Sequence, residues 1–437
     1  MNVTRTEEVE RGGVLSRGPV GAREDIAART ESFRKLGAGI FFHYGLYSLL
    51  GQGEWAYLLR GHSWPEYGKL AESFTASEFD AVAWADFVRR SGGRYAVLTA
   101  RHHEGFSLYD TRGLNTFDAP HSAAGRDLVA EFVTACRGAG ITPLLYHTTG
   151  DWWWRGRSTK DLSPGEFDEY LDYLHASVEV LCRNYGEIGG FWFDGNWNRP
   201  DDDWKEDRLY AMIRKHQPRA VLVNNTGLHA RGAVGHPELD VLTFEQAVPG
   251  KSGFRGTSRP LAMETCETVN GHWGYTPSDF LHKPVAELIR NFCACRRYGA
   301  NYLLNVGPLG NGSLPDLDRA TILRLGDWLR EYGAPLMDGD PVEASTEKDD
   351  FLMEYQGEYY YFATGLQVGG DHDVTASSDG NSGWRTIRDL PIVPSRICWT
   401  DDGSQANWEK IGEGALTLNP GSFYYGDNPI FRVAKIS

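Results

Sequence analysis

The chain has 437 residues, with 44 Lys and Arg against 59 Asp and Glu, a formal net charge of −15. That balance excludes a nucleic-acid or anionic-membrane binder, because phosphate recognition needs a basic surface. With 41 % hydrophobic and 24 % charged residues, the composition also excludes a disordered or collagen-like chain. The length suits one large domain and a smaller one. An aromatic content of 13 %, with 14 Trp, favours a sugar ligand only weakly, since a large core also consumes aromatics.

No apolar segment approaches the roughly 18 residues of a membrane span. Residues 1–24 lack the apolar stretch of a signal peptide, so a cytoplasmic location is expected. The six cysteines (Cys136, Cys182, Cys266, Cys293, Cys295 and Cys398) have no zinc-ribbon spacing and read as buried thiols of a reducing compartment.

In chain order, short apolar or β-branched runs predict strands at Gly39–His43, Tyr95–Ala100, Thr142–His147, Gly190–Phe193, Ala220–Val223, Val241–Phe244, Leu261–Thr265 and Tyr302–Val306. Helical periodicity falls between them at Ser77–Arg90, Leu128–Arg137, Gly165–Asn184, Trp204–His216 and Pro284–Tyr298, and follows them at Asp318–Glu331. Strand–helix alternation of this kind predicts a (β/α)8 barrel. Thr226–Leu239 and Gln246–Pro260 show no helical pattern, so the barrel is expected to be irregular there, with long loops in place of outer helices. After Gly333 the texture becomes strand-like. Phe351–Thr364 reads as a hairpin about a Gln-Gly turn, with further pieces at Ile392–Thr400, Ala415–Leu418 and Ile430–Ile436. The expected organisation is an N-terminal extension at 1–30, a barrel at 31–337 and a C-terminal β-sandwich at 338–437.

Reactive groups of such a barrel belong at the C-terminal ends of its strands. The strand ends deliver His43, with Glu54-Trp55 in the next loop, then Arg101-His102-His103-Glu104, Tyr146-His147, Trp192-Phe193-Asp194, Asn224-Asn225 and Glu245. Strand seven holds Glu264, and the loop after it carries His272-Trp273. Asp194 with Glu245 or Glu264 gives two carboxyls converging on one pocket, the layout that glycoside hydrolysis requires. A metal reading of His102 and His103 is disfavoured. Adjacent strand residues face opposite ways, and no further ligand follows at a recognisable spacing. One or both His, past the strand end, suit donation to sugar hydroxyls.

Six segments together resemble the α-L-fucosidases of glycoside hydrolase family 29: GIFFHYGLYS (39–48), GEW (53–55), YAVLTARHHEGFSLYDT (95–111), FWFDG (191–195), METCETVNGHWGYT (263–276) and NYLLNVGPLGNGSLP (301–315). The resemblance implies a barrel lacking some helices, a C-terminal β-sandwich, and retaining hydrolysis of terminal α-L-fucosides with no metal or other cofactor. It implies Asp194 as nucleophile and a fucose pocket lined by His43, Glu54, Trp55, His102, His103, Tyr146 and Trp192, with Trp273 added from the loop after strand seven. Glu245 is favoured as acid/base over Glu264, which could instead orient Asp194. The implied partner is a fucose-containing oligosaccharide or glycoconjugate. Tyr44 stands where the family usually has Trp, Arg101 where Lys is common, Glu104 where Asp is common, and Thr226 where many members carry an Arg, a place Arg231 or Arg255 could fill. These departures keep two rival readings open: a sugar-binding protein of the same fold without turnover, and a retaining glycosidase for a related sugar.

Overall fold

A computed structural model describes residues 23–250, 261–369 and 382–437. Eight parallel strands close into a barrel: β1 (Ala38–Phe42), β2 (Tyr95–Arg101), β3 (Thr142–Thr148), β4 (Gly190–Asp194), β5 (Val221–Asn224), β6 (Val241–Glu245), β7 (Ala262–Thr268) and β8 (Asn301–Val306), with β8 pairing back onto β1. Strand alternation sorts the side chains. Phe41, Val97, Leu144, Trp192, Val223 and Leu303 fill the interior, while Phe42, Leu98, Leu145 and Phe191 pack outward against the helices.

The outer layer includes Ala81–Arg90, Leu128–Gly138, Pro164–Asn184, Glu206–His216, Val285–Arg296 and Asp316–Tyr332. The first of these starts four residues later than its periodicity predicts. Asp80 caps it, accepting from the backbone N–H of Val82 and Ala83 at 3.0 Å each, first-turn donors that have no partner within the helix. Among the described residues no helix lies between β5 and β6 or directly after β6, as expected; residues 251–260, with Arg255, fall outside the described part. There β5 and β6 share a single ladder pair, Val223 with Val241. A helix that the sequence pattern did not reveal, Arg23–Arg34, packs beside this seam and contains the expected boundary between extension and barrel. Its Arg29 pairs with buried Asp240 at 2.9 Å, and Asp240 also accepts from Arg214 at 2.6 Å and from Leu222 N–H at 2.9 Å.

Beyond the helix Ala334–Asp338 the chain forms two antiparallel sheets. One has five strands, β9 (Asp340–Val342), β10 (Phe351–Tyr355), β11 (Glu358–Thr364), β13 (Ile397–Trp399) and β16 (Phe431–Ile436). The other has three, β12 (Arg385–Ile387), β14 (Asn407–Gly412) and β15 (Ala415–Asn419). Leu352, Tyr361, Ile397 and Ile436 of the first share a core with Ile387, Leu416 and Leu418 of the second. The β10–β11 hairpin turns at Gln356 and Gly357, with φ of 56° and 78°, the left-handed pair that a two-residue hairpin of this twist needs. β9, β12 and β14 were not foreseen, and β13 is shorter than the predicted Ile392–Thr400. All six cysteines are free thiols, and only Cys398 is not buried.

Candidate active site

A cavity of about 300 Å³ opens at the C-terminal end of the barrel, within the range of small-ligand sites. His43, Glu54, Trp55, His102, His103, Tyr146, Trp192, Trp273, Asp194 and Glu245 all line it. His102 and His103 can both face it because β2 ends at Arg101, which frees them from strand alternation.

Asp194 ends β4, and the chain turns at once through Gly195, whose φ is 121°. A Cβ there would stand 2.6 Å from the Gly150 nitrogen, so only glycine permits the close approach. The turn also throws Trp197 back over the carboxylate. Trp197 Nε1–H donates to Asp194 Oδ1 at 2.9 Å, and Tyr146 O–H donates to Oδ2 at 3.2 Å. His103 Nε2 lies 3.4 Å from Oδ2, while its Nδ1 contacts Thr148 Oγ1 at 2.6 Å. Burial pushes the Asp194 carboxyl up, but His103, Trp197 and Tyr146 outweigh it and hold the group below the usual aspartate value.

Glu245 ends β6. Asn225 Nδ2 donates to its Oε2 at 2.8 Å and lies 3.4 Å from Asp194 Oδ1. One side-chain nitrogen thus stands between an oxygen of each carboxyl. Burial raises the Glu245 carboxyl and the Asp194 charge raises it further; Asn225 and Arg231 oppose, yet the net direction is upward.

The other polar groups are held in fixed states. His43 Nδ1–H donates to Asn305 Oδ1 at 2.6 Å, and Asn305 Nδ2 donates to the Trp273 carbonyl at 2.7 Å. Burial depresses His43 to about 3, so its ring is neutral with Nε2 left as an acceptor. Glu54 Oε2 accepts from the Gly274 N–H at 2.8 Å, tying the loop after β1 to the loop after β7. Trp55 stacks on Trp197 with centroids 5.6 Å apart, forming an aromatic wall.

Of the residues named as nucleophile, acid/base or pocket wall, Glu264 alone is absent from the cavity lining. It is fully buried, accepting from Tyr95 O–H at 2.6 Å and Trp192 Nε1–H at 2.8 Å. β7 runs on to Thr268, so Glu264 sits deep in the strand, level with Thr243 rather than Glu245. It braces Trp192 and makes no hydrogen bond to Asp194. Trp197, three residues after Asp194, was not among the candidates, and Asn225, expected at the end of β5, had no role assigned to it.

The sequence model of the family described as "Alpha-L-fucosidase" matches residues 22–334. The chain belongs to the α-L-fucosidase family. The rat tissue alpha-L-fucosidase is 26 % identical over 349 residues, covering 72 % of this chain and 71 % of that protein. The human tissue alpha-L-fucosidase is 25 % identical over 349 residues, with the same two shares. Among solved structures, alpha-L-fucosidase isoenzyme 1 from Paenibacillus thiaminolyticus aligns with a TM-score of 0.78 at 26 % identity, covering 94 % of this chain and 99 % of that one. The Thermotoga maritima alpha-fucosidase shares the fold, with a TM-score of 0.73 at 24 % identity over 95 % and 99 % of the two chains.

In this fucosidase the residues that depart from the family pattern do not themselves line the cavity. Tyr44 packs against Phe74, Phe79 and Trp84 and donates to the Gly310 carbonyl at 3.1 Å. Arg101 pairs with Asp151 and donates to Tyr173 outside the cavity. Glu104, beneath His102 at 3.4 Å, is pushed up to about 8 by burial. Thr226 Oγ1 donates to the Ala230 carbonyl at 2.7 Å, and Arg231 donates to the main-chain carbonyl of Glu245 at 2.6 Å. Among the described residues no arginine pairs with Asp194.

Proposed function

We propose that the protein removes terminal α-L-fucose with net retention, by double displacement between Asp194 and Glu245. The observation that carries this reading is the Asn225 amide, which spans both carboxylates at 3.4 and 2.8 Å. That closeness supports retaining geometry, in which the carboxyls stand roughly 5–5.5 Å apart and no water fits between the nucleophile and the sugar. The opposite shifts of the two acids fit the division of labour, with an ionised nucleophile beside a protonated acid.

In the first step an Asp194 oxygen bonds to the anomeric carbon while the bond to the leaving oxygen breaks, and Glu245 gives that oxygen its proton. In the second, Glu245 takes a proton from water, whose oxygen bonds to the anomeric carbon and releases the Asp194 carboxylate. His43 Nε2 accepts from a sugar hydroxyl. Trp55 and Trp273 supply apolar faces for the ring and its methyl group. For the C-terminal β unit, 338–437, we assign a structural role. Phe351, Phe362 and Phe431 join the barrel's outer core, and Trp328 donates to the Pro429 carbonyl at 2.6 Å.

A panel of aryl glycosides, with product anomers followed by proton NMR, tests the reading. Steady release of α-L-fucose as the first-formed anomer from the aryl α-L-fucoside is expected. β-L-Fucose as the first product would overturn retention, and preference for an aryl galactoside would overturn the substrate.

A further inference from the structure

Glu206 opens the helix Glu206–His216 and is not part of the cavity lining. Its Oε1 accepts three hydrogen bonds, from Asn196 Nδ2 at 2.9 Å, Asn224 Nδ2 at 2.9 Å and Tyr210 O–H at 3.1 Å. Asn196 precedes Trp197 and Asn224 precedes Asn225, the two residues whose N–H groups approach Asp194 Oδ1. One oxygen thus ties the turn after β4 to the end of β5. With no arginine among the described residues on Asp194, that carboxylate depends on neutral donors, together with His103, for its ionised form. Donors of this kind act only when fixed in place before the reaction.

We propose that Glu206 is a positioning residue of the fucosidase reaction, clamping Trp197 and Asn225 against Asp194 and, through Asn225, against Glu245. The inference rests on the double-displacement reading above. Other titratable groups acting on Asp194 are His103, Tyr146, His43, Cys266 and Glu245. Those acting on Glu206 are Tyr210 on its own helix and His236 from the β5–β6 loop. None of them replaces an N–H donor on Asp194 Oδ1.

The test compares Glu206→Gln with Glu206→Ala in two measurements. One is the pH profile of kcat/KM on an aryl α-L-fucoside. The other is the carbon-13 titration of the Asp194 carboxyl, assigned by its loss in Asp194→Asn. Gln keeps an acceptor oxygen, so its profile and titration should match the parent. Ala should raise the Asp194 titration and the acidic limb together by about 0.5–1 unit. It should lower kcat about 10–100-fold with KM little changed. A folded Glu206→Ala with the parent titration overturns the proposal, and so does a Gln variant as impaired as Ala, since the acceptor would then be irrelevant. Should Glu206→Ala not fold, Asn196→Ala cuts only the tie to the Trp197 turn: an upward titration shift supports the clamp and an unchanged one overturns it. The NMR titration needs no turnover, so a parent protein that releases no fucose would refute the hydrolytic reading separately.

Discussion

Asp194 and Glu245 hold one amide nitrogen between them: Asn225 Nδ2 lies 3.4 Å from Asp194 Oδ1 and donates to Glu245 Oε2 at 2.8 Å. A hydrogen bond to a carboxylate favours its ionised form, so removing this donor raises both acids. Asn225→Ala should therefore move both limbs of the kcat/KM profile to higher pH. The maximum should fall at least about tenfold, the scale of losing a positioned donor. A profile measured on an aryl fucoside that keeps both limbs in place would contradict this role.

Glu264 titrates for a different reason. Burial lifts its carboxyl from 4.5 to about 7, against the donors Tyr95 and Trp192. Because the folded-state value is raised, its contribution to stability is present in full below the unfolded value and is lost as pH rises through about 7. Glu264→Gln keeps an acceptor for Trp192 and removes that loss. The variant should retain most of its activity, and its Tm at pH 7.5 should be about 3 °C above the parent, with the gap closing towards pH 4.5. A loss of activity as large as that of Glu245→Gln would return Glu264 to the chemistry.

The seam between β5 and β6 is the structural risk of the missing outer helix. One ladder pair joins these strands, and buried Asp240 gathers Arg29, Arg214 and the Leu222 N–H around it. Asp240→Ala leaves buried Arg29 without its carboxylate and Arg214 with Glu238 alone, 3.7 Å away, and breaking a buried pair costs about 3–5 kcal/mol. Denaturant unfolding should show a correspondingly lower midpoint. A shift under about 1 kcal/mol, the usual worth of an exposed pair, would mean that the arginines find other partners.

The barrel was legible because buried parallel strands are short apolar runs, and each of these runs ends in polar or aromatic residues that no structural barrel needs. The helix Arg23–Arg34 was not, since its sequence REDIAARTESFR is mostly polar and its anchoring rests on Ile26, Phe33 and the Arg29 ion pair rather than on a broad apolar stripe. Alternation along β7 gives the side to which Glu264 points but not its depth; depth follows from the strand's end at Thr268, three residues beyond the predicted one. Trp197 was illegible for a third reason. Its reach to Asp194 depends on the backbone path through Gly195, which residue type permits but does not dictate.

Azide acting on two variants tests the central pairing most directly, because a small anion can replace whichever carboxylate is missing. With an aryl α-L-fucoside of good leaving ability, Asp194→Gly should give β-L-fucosyl azide by a single inversion. Glu245→Ala should give α-L-fucosyl azide by attack on the Asp194-bound intermediate. If azide leaves Glu245→Ala unchanged but accelerates Glu264→Ala, or if both products carry the β configuration, the assignment of Asp194 and Glu245 is contradicted.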